Sequence, residues 1–163
     1  MKNGLRTLLF VCCLGPALVF GADYKDWLPL VPKSLGGQQM SRADEADNVS
    51  FGGQTNSLLT RFYGKDQNEI MLMIVWDPSG NQLIAPKLAM GMNYDTPDGI
   101  AKPVTVQGFQ ARFQQDSRNN AGVLQILLSD TAMVQLEAPG GRDPAHFIKI
   151  LQPIDLKKLS GKM

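Results

Sequence analysis

The chain has 163 residues and a mass of 17.8 kDa, the length of one domain. Its 44% hydrophobic and 19% charged residues argue against a disordered chain or a bare coiled coil. The 16 basic and 15 acidic residues give a formal charge of +1, against nucleic-acid binding by bulk charge.

Residues 1–21 read as a secretory signal. Lys2 and Arg6 supply the positive start, and the uncharged run 7–20 follows. That run is too short to span a bilayer, which takes about 20 residues, and fits a signal's apolar region. Val19 and Gly21 place cleavage after Gly21, with cleavage after Ala22 the near alternative. Cys12 follows Val11 and Cys13 follows Cys12, so neither has the small preceding residue of a lipidated cysteine.

Cleavage removes Lys2, Arg6 and both cysteines, leaving 14 basic and 15 acidic residues and a formal charge of −1. No membrane span is expected to remain. An exported domain without disulfides must be held by its core, and a domain of ~150 residues buries ~68–70% of its unfolded surface. The lack of disulfides points to a bacterial periplasm. The sequon Asn48-Val49-Ser50 is then accidental.

In the leading segment 23–39, Pro29 and Pro32 discourage a regular helix, and Gly36-Gly37 marks a turn. Strand patterns cover 47–52 and 55–63. In the second, Leu58, Thr60 and Phe62 share one face and Leu59, Arg61 and Tyr63 the other. The apolar run 69–76 predicts a central strand covered on both faces. After the turn at Asp77-Pro78-Ser79-Gly80, a helix over 79–92 is favoured over a hairpin returning through 82–85. Ile84, Leu88 and the Gly91/Met92 turn then lie on one helix face, with Leu83, Lys87 and Met90 beside it; Pro86 counts against a straight helix.

A polar loop is expected from Asp95 to Lys102, then strands at 103–107, 109–115, 123–128 and 131–137. Phe109, Ala111 and Phe113 point one way, and Gln110, Arg112 and Gln114 the other. Asp143 predicts a helix N-cap with Pro144 at the first helical position. Phe147, Ile148, Ile150 and Leu151 supply its apolar stripe, Pro153 interrupts it, and the segment IDLKKL adds a last turn. The fold class is α+β: one antiparallel sheet of about six to seven strands, one central helix and a C-terminal helix, in a single domain spanning 22–163.

Little of this carries chemistry. The mature chain has no thiol for a nucleophile or a metal. A triad on His146 with Asp143 or Asp130 is arithmetically possible, but no G-x-S-x-G elbow accompanies it. Asn93, Asp95 and Asp98-Gly99 miss the spacing of a calcium loop. Met71, Met73, Met90 and Met92 offer thioethers that suit Cu(I), yet methionine is also a routine filler of cores. Glu45, Glu69 and Glu137 have no partner in view for glycosidase work. The polar row Gln110, Arg112, Gln114, Gln125 and Gln135 is a partner surface or the wet side of a sheet.

The order of elements resembles the Mog1/PsbP-like proteins. It is also similar to a set of small, uncharacterised exported proteobacterial proteins. The shared features are a signal, an opening like DWLPLVPKSLGG, a Met-rich stretch like LAMGM, a strand pair like VTVQGFQARF and an ending like PIDLKKL. The resemblance implies the fold and carries over no catalytic residue.

The expectation is a soluble, exported, non-catalytic accessory or binding protein with no metal or cofactor. Its partner is a small apolar ligand or an envelope protein, and not nucleic acid. The cleft expected between sheet and Met-rich segment is lined by Met90, Met92, Phe109 and Phe113. The alternatives are a small periplasmic hydrolase using His146 and a structural component of an envelope complex.

Overall fold

Alternation along the chain becomes a sheet with two unlike faces. The structure, a computed structural model, describes residues 22–51, 54–118 and 121–163. The signal read into residues 1–21 lies outside them.

A short ribbon comes first: β1 (Ser34–Leu35) pairs with β2 (Gln38–Gln39). Between them Gly36 and Gly37 have φ of 58° and 81°, the left-handed pair that a tight hairpin turn requires. The main sheet holds β3 (Glu45–Phe51), β4 (Gln54–Tyr63), β5 (Ile70–Trp76), β6 (Tyr94–Thr96), β7 (Gly99–Val106), β8 (Phe109–Asp116), β9 (Ala121–Leu127) and β10 (Ala132–Pro139). Their order is β3-β4-β5-β10-β9-β8-β7-β6, antiparallel throughout. A three-strand meander thus crosses to the far edge and returns through five strands. β10 closes against β5, with Leu136 opposite Leu72 and Val134 opposite Ile74.

One face carries the main core. Leu59, Tyr63, Leu72, Ile74, Phe113, Leu124, Ile126, Val134 and Leu136 are buried there. They pack under α1 (Tyr24–Trp27), α3 (Pro144–Leu151) and α4 (Leu156–Ser160), through Trp27, Phe147, Leu151, Leu156 and Leu159. Asp143 caps α3 by accepting from the Ala145 amide at 2.9 Å, with Pro144 at the first position. Asp155 caps α4 by accepting from the Lys158 amide. The C-terminal helix is therefore two short helices, broken where Pro153 removes a donor.

The other face is covered by the crossover from β5 to β6, which holds α2 (Ile84–Ala89). Leu83 is buried there in a small cluster with Val75 and Met133. The segment is helical rather than a hairpin, but shorter than the expected 79–92. Pro86 is the third residue of α2, where its missing N–H has no intrahelical partner to lose. Ile84 and Leu88 are 53% and 80% exposed, while Leu83 and Met90 are buried instead.

The α+β class and the antiparallel sheet are as expected, but the sheet is larger than six to seven strands. Among the described residues it has eight, apart from the two-stranded ribbon. The expected polar loop, 95–102, contains the last two residues of β6 and the first half of β7. All three residues of β6 are exposed, so no hydrophobic alternation announces it. Backbone pairing at a sheet edge needs none.

Candidate binding site

The register of the sheet lines up a polar row on the second face. Arg112 lies opposite Gln125, Gln125 opposite Gln135, and Gln135 opposite Met73. Gln125 Nε2 donates to Gln135 Oε1 at 2.9 Å. Arg112 Nη2 donates to Gln125 Oε1 at 3.1 Å and also to Gln114 Oε1. Arg112 Nη1 points at Met92 Sδ, 3.5 Å away.

Arg112 is unusual among the buried polar groups. It is only 8% exposed, and its Nε is buried without a hydrogen-bond partner. Its partners are two neutral amides and a thioether, none of them a carboxylate. Burial pushes its guanidinium below the ordinary arginine value, with Tyr94 opposing the shift. Arg61, 5% exposed on the opposite face, shows the contrasting solution. Its Nε and Nη2 donate to the two oxygens of Asp44, each at 2.6 Å, and Nη1 donates to the Val31 carbonyl. Asp44 and the hydrogen bond it accepts lift the Arg61 guanidinium above its ordinary value, outweighing burial. A buried cation wants a paired anion, and Arg112 lacks one.

Beside Arg112 runs a shallow groove of about 420 Å³, bordered by Met90, Gly91, Pro103, Thr105 and Gln110. Pro103 is the cross-strand neighbour of Arg112, and Thr105 that of Gln110, so these share its face, while Val104 and Ala111, of the opposite parity, also border the groove. Apolar side chains stand exposed along the crossover: Ile84, Leu88, Met92 and Tyr94.

The four residues expected to line one cleft are separated. Met90, buried, and Met92, 49% exposed, belong to the crossover. Phe113 is fully buried on the helical face, its ring 4.8 Å from that of Phe147. Phe109 packs against the same core. The parity of β8 separates them: Phe109 and Phe113 alternate with Gln110 and Arg112. The polar row was legible in the sequence; the burial of Arg112 was not. The available signal was an arginine with Gln110 and Gln114 as its same-face neighbours in place of acids.

His146 is exposed, its ring edge-on to Phe147 at 5.4 Å. Asp143 is engaged with the Ala145 amide, and Asp130 pairs with Lys87 at 3.4 Å. The groove beside His146, about 430 Å³, is bordered by Gly36, Gly37, Lys149, Ile150, Gln152 and Pro153, with no hydroxyl or carboxylate side chain among them. Among the described residues no three His, Cys, Asp or Glu side chains gather as a metal site, and no helix is long and apolar enough to cross a membrane. Met71 and Met73 lie on the second face opposite Glu137 and Gln135. Asp95 pairs with Arg142 at 2.7 Å and Lys102 at 3.7 Å. Asn48 donates to Asp23 Oδ1, so the sequon's amide is engaged.

Compared with family models, curated proteins and solved structures, the chain matches none.

Proposed function

We propose that this chain is an exported, non-catalytic binding protein of the Mog1/PsbP-like type. It holds an apolar ligand on the second face of its sheet, against the crossover 83–94. The observation that carries this reading is the row of exposed apolar side chains Ile84, Leu88, Met92 and Tyr94 beside a groove. Ile84 and Leu88 stand four apart on α2 and form one stripe. Several large apolar side chains exposed on one short segment, rather than scattered singly, point to an interaction site.

Export rests on the basic start and uncharged run of residues 1–21. Ala22 is buried, and its carbonyl accepts from the Ser57 hydroxyl at 2.6 Å. Asp23 accepts from Asn48. Cleavage after Gly21 retains the first of these contacts, and cleavage after Ala22 loses it. The compartment proposed is the bacterial periplasm.

An envelope protein is the second reading for the same face, favoured by Leu88 at 80% exposure. A hydrolase using His146 has less support, because its groove offers neither an orienting acid nor a hydroxyl nucleophile.

The test is site-specific photocrosslinking in the exporting cell, with the photoreactive residue at Leu88 or at exposed Lys157 on the helical layer. Adducts from Leu88 and none from Lys157 are expected. No adduct from either, with hydrolase activity that His146→Ala abolishes, overturns the reading.

A further inference from the structure

We infer that Arg112 is the charge anchor of this face: it receives the carboxylate of an amphiphilic monoanion whose apolar tail lies along the groove at Met90. This rests on the binding face proposed above and adds the chemical class of the ligand.

Three features carry it. First, the guanidinium is more than nine-tenths buried and leaves Nε–H without an acceptor. Such groups in native proteins call for an explanation, and a missing ligand is one. Second, a flexible side chain covers Arg112. The contact to Met92 Sδ is a weak one, and Met92 is 49% exposed. Rotating an unbranched methionine aside opens the guanidinium to a ligand at small cost. Third, Arg112 has no carboxylate partner, whereas Arg118 pairs with Asp116, and Lys102 and Arg142 share Asp95. One unpaired guanidinium balances one carboxylate, and the charged hydrogen bond is stronger than the amide bonds it joins. The tail then lies in the groove beyond Pro103, against Met90 and toward the apolar stripe of the crossover.

The experiment titrates the intact domain with octanoate and, separately, with 1-octanol, which has the same tail and no charge. The readout is the ¹⁵N–¹H resonance of Arg112 Nε in the unaltered protein, alongside the backbone amides of 83–94. Octanoate is expected to shift the Arg112 Nε resonance saturably and to bind at least about tenfold more tightly than octanol. Arg112→Gln is expected to bring octanoate down to the affinity of octanol, and Arg112→Lys to recover part of the difference. Should both glutamine and lysine variants fail to fold, the titration of the unaltered protein still decides. Equal binding of octanoate and octanol, or an octanoate site that leaves Arg112 Nε unmoved, overturns the anchor while the apolar face stands. No shift at 83–94 or at Arg112 with either compound overturns both.

Discussion

The rings of Phe113 and Phe147 meet at 4.8 Å, tilted by 46°, and close over the backbone of Gly122. A β-strand residue and a helix residue are thus in contact because the strand between them carries a glycine at that point. A Cβ at Gly122 would lie 2.5 Å from Phe147 Cζ and 2.8 Å from Phe113 Cε2. Both rings are fully buried and have nowhere to move.

Gly122→Ala is therefore expected to destabilise the domain by about 1–3 kcal/mol, the usual cost of overpacking. Phe147→Ala removes the ring and is expected to cost about 3–5 kcal/mol. Urea unfolding of the single variants and the double variant checks this. The double variant should cost less than the sum, because the alanine at 122 fits the space the ring leaves.

The Arg61–Asp44 pair ties the segment before β3 to the helical face, with Asp44 18% exposed at its side chain. Removing one member strands the other. Asp44→Ala is expected to cost about 3 kcal/mol, and Asp44→Ala with Arg61→Met less than that. A double-mutant cycle by chemical denaturation gives both numbers. A double variant worse than Asp44→Ala would contradict the pairing account.

Tyr63 makes the domain sensitive to alkali. It is fully buried, and its hydroxyl donates to the Pro32 carbonyl at 2.8 Å. Burial pushes its phenol from the ordinary 10.0 up to about 12, with Arg61 opposing. A pKa raised on folding contributes stability that is whole below pH 10 and lost as pH rises through 12. The loss is expected to be about 2–3 kcal/mol. Tyr63→Phe should abolish most of that alkaline drop, at a cost of about 1 kcal/mol at neutral pH from the orphaned Pro32 carbonyl.

Gln107 sits at φ 50° in the turn between β7 and β8, followed by Gly108 at φ 90°. A side chain there is strained, and its hydrogen bonds hold it. Gln107 Nε2 donates to the Ile154 carbonyl at 2.8 Å, and its Oε1 accepts from the Leu156 amide at 3.0 Å. It thereby bridges the hairpin to the break between α3 and α4. If backbone strain dominated, Gln107→Gly would stabilise. The account predicts the opposite sign, a loss of about 1 kcal/mol, and about 2 kcal/mol for Gln107→Ala. Thermal unfolding of the two variants decides.

Much of the fold was readable because alternation is read directly from the chain. Phe109-Gln110-Ala111-Arg112-Phe113 states its two faces residue by residue, and β8 obeys it. Asp143-Pro144 announces α3 in the same direct way. β6 was hidden because Tyr94, Asp95 and Thr96 are all exposed and show no apolar alternation. The expected cleft mixed two faces, since sequence adjacency of aromatic and methionine segments does not say on which side of a sheet a crossover lies. Burial of Arg112 depends on that same unknown. Its neighbours are set by cross-strand register, which a single strand does not encode.

The central claim is that the second face holds a ligand. Native mass spectrometry of the protein, exported through its own leader and purified gently, tests it most directly. The account predicts an extra mass of small-molecule size that disappears on denaturation, together with a denatured mass that begins at Ala22. A bare monomer in the native spectrum would contradict it.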